Sequence, residues 1–226
     1  MNREKYPWLY DLLFLLVFLL AGYLRLTGVN WGAGGGQHPD ENHFSGVLES
    51  LRARKCADPA LLLEACPPEQ RQWIGIGDYF RSSESTLNPY NRGFAFYVYG
   101  NLPMTIVRVA ADATQPTNLR IFGRQVSALA DLFTILCLYL IAARLYGRRV
   151  ALLTSLFSAL TVMQIQQSHF FTVDLFANAF AFLALWFAVA ILGHREKRVE
   201  NREQRVESRE QRVVSRPRDE RGLFVL

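Results

Sequence analysis

The sequence predicts an all-α fold: a polytopic transmembrane helical bundle of about four spans, with an external loop that carries juxtamembrane amphipathic helices. Half of the 226 residues are hydrophobic and 20% are charged, and the two kinds are segregated along the chain. The apolar stretches are long enough to cross a bilayer, whereas a soluble domain mixes apolar and charged residues more finely. The net charge of +5 does not indicate nucleic-acid binding, because the basic residues flank the apolar stretches and fill one tail.

The apolar stretches define four predicted spans, at residues 8–26, 126–143, 150–171 and 175–192. The first is too long for the core of a cleaved signal peptide, and no small-residue cleavage site follows it. Arg25 lies near its end and is expected to snorkel to the interface.

The predicted external loop, residues 27–119, begins with a glycine-rich turn that ends the first helix. Residues 39–54 read as an amphipathic helix, because apolar residues recur at helical spacing from Phe44 to Leu51. Pro39 suits the first helical position, and Asp40 and Glu41 suit the first turn.

Residues 94–111 are apolar and aromatic, but polar residues interrupt them. Basic residues cluster at three places, before the first span, between the second and third, and after the fourth: Arg3, Lys5, Arg144, Arg148, Arg149, Arg195, Lys197 and Arg198. All three clusters fall on the cytoplasmic side only if residues 94–111 lie in the interface instead of crossing the membrane. The predicted topology therefore has a cytoplasmic N-terminus and tail, and an external loop, in the cell membrane.

The chain divides by composition into residues 1–192, which hold the spans and the loop, and a charged segment, residues 193–221. The charged segment repeats a heptad with one valine per copy, which is too few apolar residues for a coiled coil. It is expected to be a solvated helix or disordered. Residues 222–226 turn apolar again, and we expect them to begin a further, truncated span.

The cysteines leave two alternatives open. Cys56 and Cys66 flank a short segment of the loop; they form a disulfide if the loop is external and stay free thiols if it is cytoplasmic. Cys137 lies inside a span, where packing is its simplest role.

Three short motifs carry candidate chemistry. The first is His38-Pro39-Asp40-Glu41, where adjacent carboxylates suit a base or a metal site but equally suit an ordinary helix start. The second runs from Asn88 to Pro103 and reads, in isolation, as a turn before an aromatic membrane-surface helix. The third, residues 169–174, ends in Asp174 at the start of a span, where it caps a helix or binds a cation or a sugar hydroxyl.

The order of these motifs resembles the GT-C glycosyltransferases, in particular the protein O-mannosyltransferase-like group that includes the aminoarabinose transferase of lipid A. The matching features are a first span, Trp31, the segment from His38 to Phe44, Asn88-Pro89, the segment from Phe96 to Pro103, the basic connection Arg144–Arg149 and the motif that ends in Asp174. The resemblance covers roughly residues 8–192, and it implies transfer of a sugar from a polyprenyl-phosphate donor to an acceptor hydroxyl of a lipid, glycan or protein.

The resemblance also implies roles for individual residues. Asp40 is expected to be the general base, with Glu41 assisting it or orienting a ligand, and the reaction to invert the anomeric carbon. Asp40 and Asp174 are candidates to share a divalent cation. Candidate substrate-binding residues are His38, His43, Asn88, Tyr99 and His169.

Two departures from that group keep other functions open. Its members are longer, and no motif selects a basic residue for the phosphate, although Arg92 and Arg108 lie on the expected side. The alternatives are a non-catalytic membrane protein, such as a transporter half or scaffold, and an inactive truncated remnant. A transporter is disfavoured because the spans carry little charge at mid-depth, with Asp131 the nearest exception.

Overall fold

A computed structural model of the chain describes residues 7–32, 36–58 and 61–214. It divides into two compact units, Met1–Leu183 and Ala184–Leu226. The first holds all the elements described below except the greater part of the last helix. The predicted further span at residues 222–226 and the end of the charged segment lie outside the described residues.

Eight α-helices and a two-stranded sheet make up the described residues, apart from short 3₁₀ turns. The helices are α1 Pro7–Leu26, α2 Pro39–Ser50, α3 Ile76–Phe80, α4 Asn101–Thr114, α5 Leu119–Tyr146, α6 Arg148–Leu160, α7 Val162–Ser168 and α8 Val173–Val214. The strands are β1 Arg54–Cys56 and β2 Arg71–Trp73.

Three described helices are long and apolar enough to cross a membrane: Trp8–Leu26, Leu119–Tyr146 and Val173–Gly193. A fourth span is possible by length and composition if α6 and α7 together count as one. The predicted all-α membrane bundle is confirmed. Helix α5 is longer than the predicted span at 126–143 and begins seven residues earlier (126 minus 119), because Asn118 caps it and accepts a hydrogen bond from the backbone nitrogen of Ile121 (3.1 Å).

The predicted third span, residues 150–171, is divided between two helices, and whether they form one span stays a prediction. Helices α6 and α7 meet at Thr161 with a bend of 59°. The backbone of Thr161 is extended there, with φ −66° and ψ 111°. Such a break leaves the last carbonyl groups of α6 without partners inside the helix, so other donors must satisfy them.

Arg25 supplies those donors, so the expectation that it snorkels to the interface is wrong. Its side chain is fully buried, and its terminal nitrogens donate to the carbonyl oxygens of Ala159 (3.0 Å) and Ser158 (3.1 Å). Its Nε donates to the buried carboxylate of Asp131 on α5. One guanidinium group therefore links α1, α5 and the break after α6.

The loop between α1 and α5 is folded, and here the sequence prediction needs two corrections. Helix α2 ends at Ser50 and not at Arg54, because the chain turns into strand β1. Strands β1 and β2 pair antiparallel, with Arg54 opposite Trp73 and Cys56 opposite Arg71. Two three-residue strands have no sequence signal strong enough to compete with the helical pattern before them.

The helix predicted at residues 94–111 begins at Asn101 and extends to Thr114. Residues 94–100 are not helical, and Gly93 ends the preceding 3₁₀ turn with φ +89°. Helix α4 buries Met104, Val107 and Ala111 against the bundle, while the opposite face exposes apolar side chains such as Leu102. Apolar residues on both faces agree with an interfacial helix, but its membrane location stays a prediction.

A core of buried apolar residues holds α2 and α4 against the start of α8. Its largest members are Phe44, Leu48, Leu51, Leu87, Tyr97, Met104, Phe171 and Phe176. Burial of such side chains contributes roughly 1.5–3 kcal/mol each, so this core is the main stabilising feature of the loop. We call the end of the bundle where it lies the loop-side end.

Helix α8 continues through the charged segment to Val214. Of the two expected alternatives, the structure has the solvated helix: residues 202–208 are exposed, including Val206.

Cys56 and Cys66 form a disulfide, which resolves the alternatives that the sequence left open, and Cys137 is a buried free thiol. We expect thiol alkylation of the denatured, unreduced protein to modify Cys137 alone, because the other two thiols are oxidised. Reduction before alkylation should raise the number of modified cysteines to three. Mass spectrometry of the alkylated peptides measures both. Three modified cysteines without reduction would contradict the disulfide.

Candidate functional site

The two carboxylates in the first turn of α2, those of Asp40 and Glu41, point in different directions. Pro39 occupies the first helical position after His38, which has an extended backbone. Consecutive residues on a helix point about 100° apart, since one turn takes 3.6 residues. Asp40 is therefore exposed, whereas Glu41 is fully buried.

Glu41 forms a two-pronged ion pair with Arg124 of α5. Arg124 donates through Nε to one carboxylate oxygen (2.6 Å) and through Nη2 to the other (2.7 Å). Both side chains are at least 99% buried. Two parallel N–H···O bonds of this kind fix the orientation of both groups as well as pairing their charges. The ion pair therefore ties the start of α2 rigidly to α5.

Two further segments are attached to the same ion pair. Arg124 also donates to the carbonyl oxygens of Val29 (2.8 Å) and Trp31 (3.1 Å), in the turn after α1. Glu41 accepts a hydrogen bond from the backbone nitrogen of Phe171 (3.0 Å), just before α8. We call Glu41, Arg124 and these three backbone groups the Glu41–Arg124 clamp. It joins the ends of four segments that are distant in sequence.

Gly123 lets the chain before α8 approach α5 closely enough for this contact. A Cβ atom on Gly123 would lie 2.6 Å from the ring of Phe171, which is closer than van der Waals contact allows. Phe171 packs in turn on Phe44 of α2, with ring centroids 5.7 Å apart. The glycine is thus required by packing and not by backbone conformation.

Beside the clamp, Asp40 and Asp174 both act on the hydroxyl group of Tyr99. Burial raises the pKa of Tyr99, and the negative charges of Asp40 and Asp174 and a hydrogen bond to Asp40 raise it further. The Tyr99 hydroxyl therefore stays protonated and donates a hydrogen bond to the carboxylate of Asp40. Two exposed acidic residues, from the starts of α2 and α8, lie close enough to one phenol to influence it. This grouping is the candidate functional site.

Aromatic rings form the floor of the site. His43 is half-buried and lies 5.8 Å from the ring of Phe94 and 6.4 Å from that of Tyr99. Tyr99 also packs edge-on against Phe44, at 4.8 Å. A partly exposed aromatic surface of this kind is suited to the apolar face of a sugar ring as well as to a lipid chain.

The other predicted binding residues have structural contacts. Both ring nitrogens of His169 face backbone carbonyl oxygens, those of Ile165 (2.7 Å) and Thr27 (2.8 Å). Asn88 caps the 3₁₀ turn that follows it and donates to the carbonyl oxygen of Ser82 (2.6 Å). These contacts are enough to explain why a histidine and an asparagine occupy the two positions. Their substrate-binding roles stay predictions.

His38 precedes the first turn of α2, which carries Asp40. Its ring lies 4.9 Å from that of Phe170, and its Nδ1 is a buried nitrogen without a hydrogen-bond partner among the described residues. A buried polar atom of this kind requires a partner, such as a water molecule or a ligand group. His38 therefore remains a candidate binding residue.

The candidate site offers two carboxylates, those of Asp40 and Asp174, to a divalent cation. Within the part of the chain that the structure describes, no three or more histidine, cysteine or acidic side chains are grouped to hold a metal ion. Magnesium is commonly bound by one or two carboxylates together with water and substrate phosphate oxygens. Asp40 and Asp174 fit that smaller requirement, so their metal role stays a prediction.

Sequence reasoning missed Arg124, the residue that organises the site. The signal was present: a charged residue just before an apolar span, six residues (124 minus 118) after Asn118, which caps the helix. Arg92 and Arg108, the two basic residues that the sequence offered for the phosphate, have partners elsewhere in the loop. Arg92 donates to the carbonyl oxygen of Ser50 (2.7 Å), and Arg108 donates to that of Leu48 and pairs with Asp112.

The fold and the site together define a polytopic membrane protein with a pair of acidic residues at the loop-side end of its helices. Residues 119–199 match the family model described as dolichyl-phosphate-mannose-protein mannosyltransferase, a GT-C type of enzyme. This match supports the predicted resemblance to a GT-C glycosyltransferase-like family. The matched segment is less than half of the chain; it includes Arg124 and Asp174 but not Asp40.

No curated protein and no solved structure matches the chain.

Proposed function

We propose that this protein is, or is part of, a membrane glycosyltransferase that moves a sugar from a polyprenyl-phosphate donor to an acceptor hydroxyl. The family match supports glycosyl transfer from a lipid-linked sugar in general. The observation that carries the proposal for this chain is the convergence of Asp40 and Asp174 on Tyr99. The two carboxylates come from the two motifs that gave the resemblance, which are 134 positions apart in sequence (174 minus 40).

In the proposed mechanism, Asp40 removes the proton from the acceptor hydroxyl. Its exposed carboxylate lies in the first turn of α2, at the positive end of the helix dipole. Tyr99 donates to the same carboxylate and so orients it. The leaving group is a lipid phosphate, which needs charge stabilisation more than a strong acid.

Glu41 takes a positioning role in this proposal. It is buried and fully engaged by Arg124, so it holds the first turn of α2 and leaves Asp40 directed outward. Asp174 closes the site from the other side, by binding a sugar hydroxyl or by sharing a divalent cation with Asp40. A single direct displacement inverts the anomeric configuration.

The proposed location is the outer face of the plasma membrane, with the loop external. The disulfide between Cys56 and Cys66 supports it, because disulfides persist in oxidising compartments. The apolar helices support a membrane protein in general.

The substitution Asp40→Asn tests the proposed function. We expect it to reduce transfer of radiolabelled sugar from polyprenyl-phosphate sugar at least a hundredfold, because general base catalysis contributes about 10²–10⁴-fold. The assay uses membranes that contain the full chain, with expression and melting temperature measured in parallel. Glu69→Gln is the matched control, since Glu69 is an exposed acidic residue of the same loop.

The control variant should transfer sugar at the wild-type rate. Equal transfer by Asp40→Asn and wild type would refute the base assignment. Absence of transfer by the wild-type chain itself, with every lipid-linked donor supplied, would favour a non-catalytic role for this chain.

A further inference from the structure

A cavity of about 590 Å³ lies beside the β-hairpin, and nothing in the proposed transfer reaction uses it. Four arginines contribute to its wall: Arg52, Arg54, Arg71 and Arg108. Its size falls within the range of small-molecule sites, about 300–1,000 Å³.

The wall of this cavity also includes Glu49, near the C-terminal end of α2. Glu49 is nine residues after Asp40, so the two are about 14 Å apart along the helix axis. The cavity is therefore separate from the candidate catalytic site.

The register of the hairpin explains why two arginines face this cavity. Residues at alternate positions of a strand share one face of a sheet, and directly paired residues lie on the same face. Arg54 is paired with Trp73, and Arg71 with Cys56, so all four residues share one face. Lys55 and Gln72 are paired on the opposite face, where Lys55 binds Asp78 (2.7 Å). The hairpin thus presents its two arginines on one side only.

Two of the four arginines are already engaged by the protein. Arg52 pairs with Glu64 (3.1 Å) and donates to the carbonyl oxygen of Leu51. Arg108 pairs with Asp112, whose other oxygen accepts from the backbone nitrogen of Ala53 (2.8 Å). These pairs neutralise two of the carboxylates in the wall.

Arg54 and Arg71 remain with donors to spare. The guanidinium of Arg54 stacks over Trp73 at 4.5 Å, and its Nε is buried without a hydrogen-bond partner among the described residues. Arg71 donates through Nε to the carbonyl oxygen of Cys66 (3.0 Å), which fixes the plane of its guanidinium. The disulfide at Cys66 holds that carbonyl in place. The cavity thus holds two oriented guanidinium groups, and the planar fork of N–H donors in each is the kind of group that binds phosphate.

We propose that this cavity binds a phosphate-bearing ligand, with Arg54 and Arg71 holding the phosphate. The cavity is larger than a phosphate ion, and Glu49 provides an acceptor for hydroxyl groups beside it. The ligand chemistry is thus a phosphate attached to a polyol, either a soluble sugar phosphate or a lipid headgroup. Binding here does not depend on the proposed transferase reaction.

The test uses the full chain in nanodiscs of neutral phosphatidylcholine. Inorganic phosphate is titrated calorimetrically as the soluble probe, and discs that contain phosphatidic acid supply the lipid headgroup. The variants are Arg71→Gln and the double variant Arg54→Gln/Arg71→Gln. Lys55→Gln is the matched control, because it removes the same charge from the opposite face of the same strand.

Affinity for phosphate should fall at least tenfold in Arg71→Gln and further in the double variant, since a charged hydrogen bond is equivalent to about tenfold in affinity or more. The Lys55→Gln control should bind like the wild type. Variant-dependent binding of phosphate indicates a soluble ligand, and a variant-dependent shift in melting temperature with phosphatidic acid alone indicates a lipid headgroup.

Two results would overturn the proposal. One is equal weakening by Lys55→Gln, which would mean general charge attraction. The other is the lack of any variant-dependent effect of either probe. If the double variant misfolds, the single variant Arg71→Gln still tests the proposal. Arg71 is exposed, so its replacement does not disturb the buried core.

Discussion

Replacing Arg124 with glutamine is expected to destabilise the protein by about 3–5 kcal/mol, because it leaves the carboxylate of Glu41 buried without its counter-charge. Glutamine keeps much of the volume of the side chain but cannot donate to both oxygens of Glu41 and to the carbonyl groups of Val29 and Trp31. The expected drop in melting temperature in detergent is on the order of 10 °C. Scanning fluorimetry of the purified full chain measures it.

Arg144→Gln is the matched control for this prediction. Arg144 is exposed near the other end of the same helix, so its loss should change the melting temperature by little. The double variant Glu41→Gln/Arg124→Gln should recover part of the lost stability, because it removes both charges together. A loss no greater in Arg124→Gln than in Arg144→Gln would contradict the clamp.

The second large effect is expected from Arg25→Leu. This substitution removes the charged partner of Asp131 and the donor to the carbonyl group of Ala159, and it leaves the carbonyl group of Ser158 with the backbone nitrogen of Thr161 alone. We expect a loss of about 3–5 kcal/mol, as for other broken buried ion pairs. Unfolding of the reconstituted chain by titration with denaturing detergent measures it. If Arg25 instead extended to the interface, leucine would be tolerated there.

Two further variants separate the ion pair from general effects. The double variant Arg25→Leu/Asp131→Leu should be much less damaging than Arg25→Leu, because replacing both partners with apolar residues is often neutral. Asp11→Asn removes a charge from the other end of α1, where Asp11 is exposed and contacts Arg148 at 3.5 Å. Such exposed pairs contribute only about 0–1 kcal/mol.

The fold class and the approximate spans could be predicted because apolar length alone identifies a membrane helix. The break at Thr161 could not, because it depends on donors from Arg25, a residue that is 136 positions away in sequence (161 minus 25). The same limit explains the error about Arg25 itself. A charged residue near the end of a span can either extend to the interface or pair with a buried counter-charge. Only the position of Asp131 decides between these two arrangements.

The candidate site was predictable in part for a similar reason. The two acidic motifs could be placed at one end of the bundle from the distribution of basic residues. Glu41 and Asp40 are adjacent and chemically alike, so their different environments depend on which face of α2 meets α5. Arg124 and Gly123 decide that contact, and neither carries a motif that marks it in a single sequence.

The position of Arg25 also has a consequence for biosynthesis. Its ion-pair partner Asp131 is 106 residues further along the chain, so at about 5–20 residues per second Arg25 is made roughly 5–20 seconds earlier. During that interval the guanidinium has no acidic partner in the bundle, and the side chain must reach water or lipid headgroups at the membrane surface. Arg25 therefore first adopts the snorkelled state that the sequence suggests and turns inward when α5 and α6 arrive. The finished α1 is held by a contact that it cannot make when it enters the bilayer.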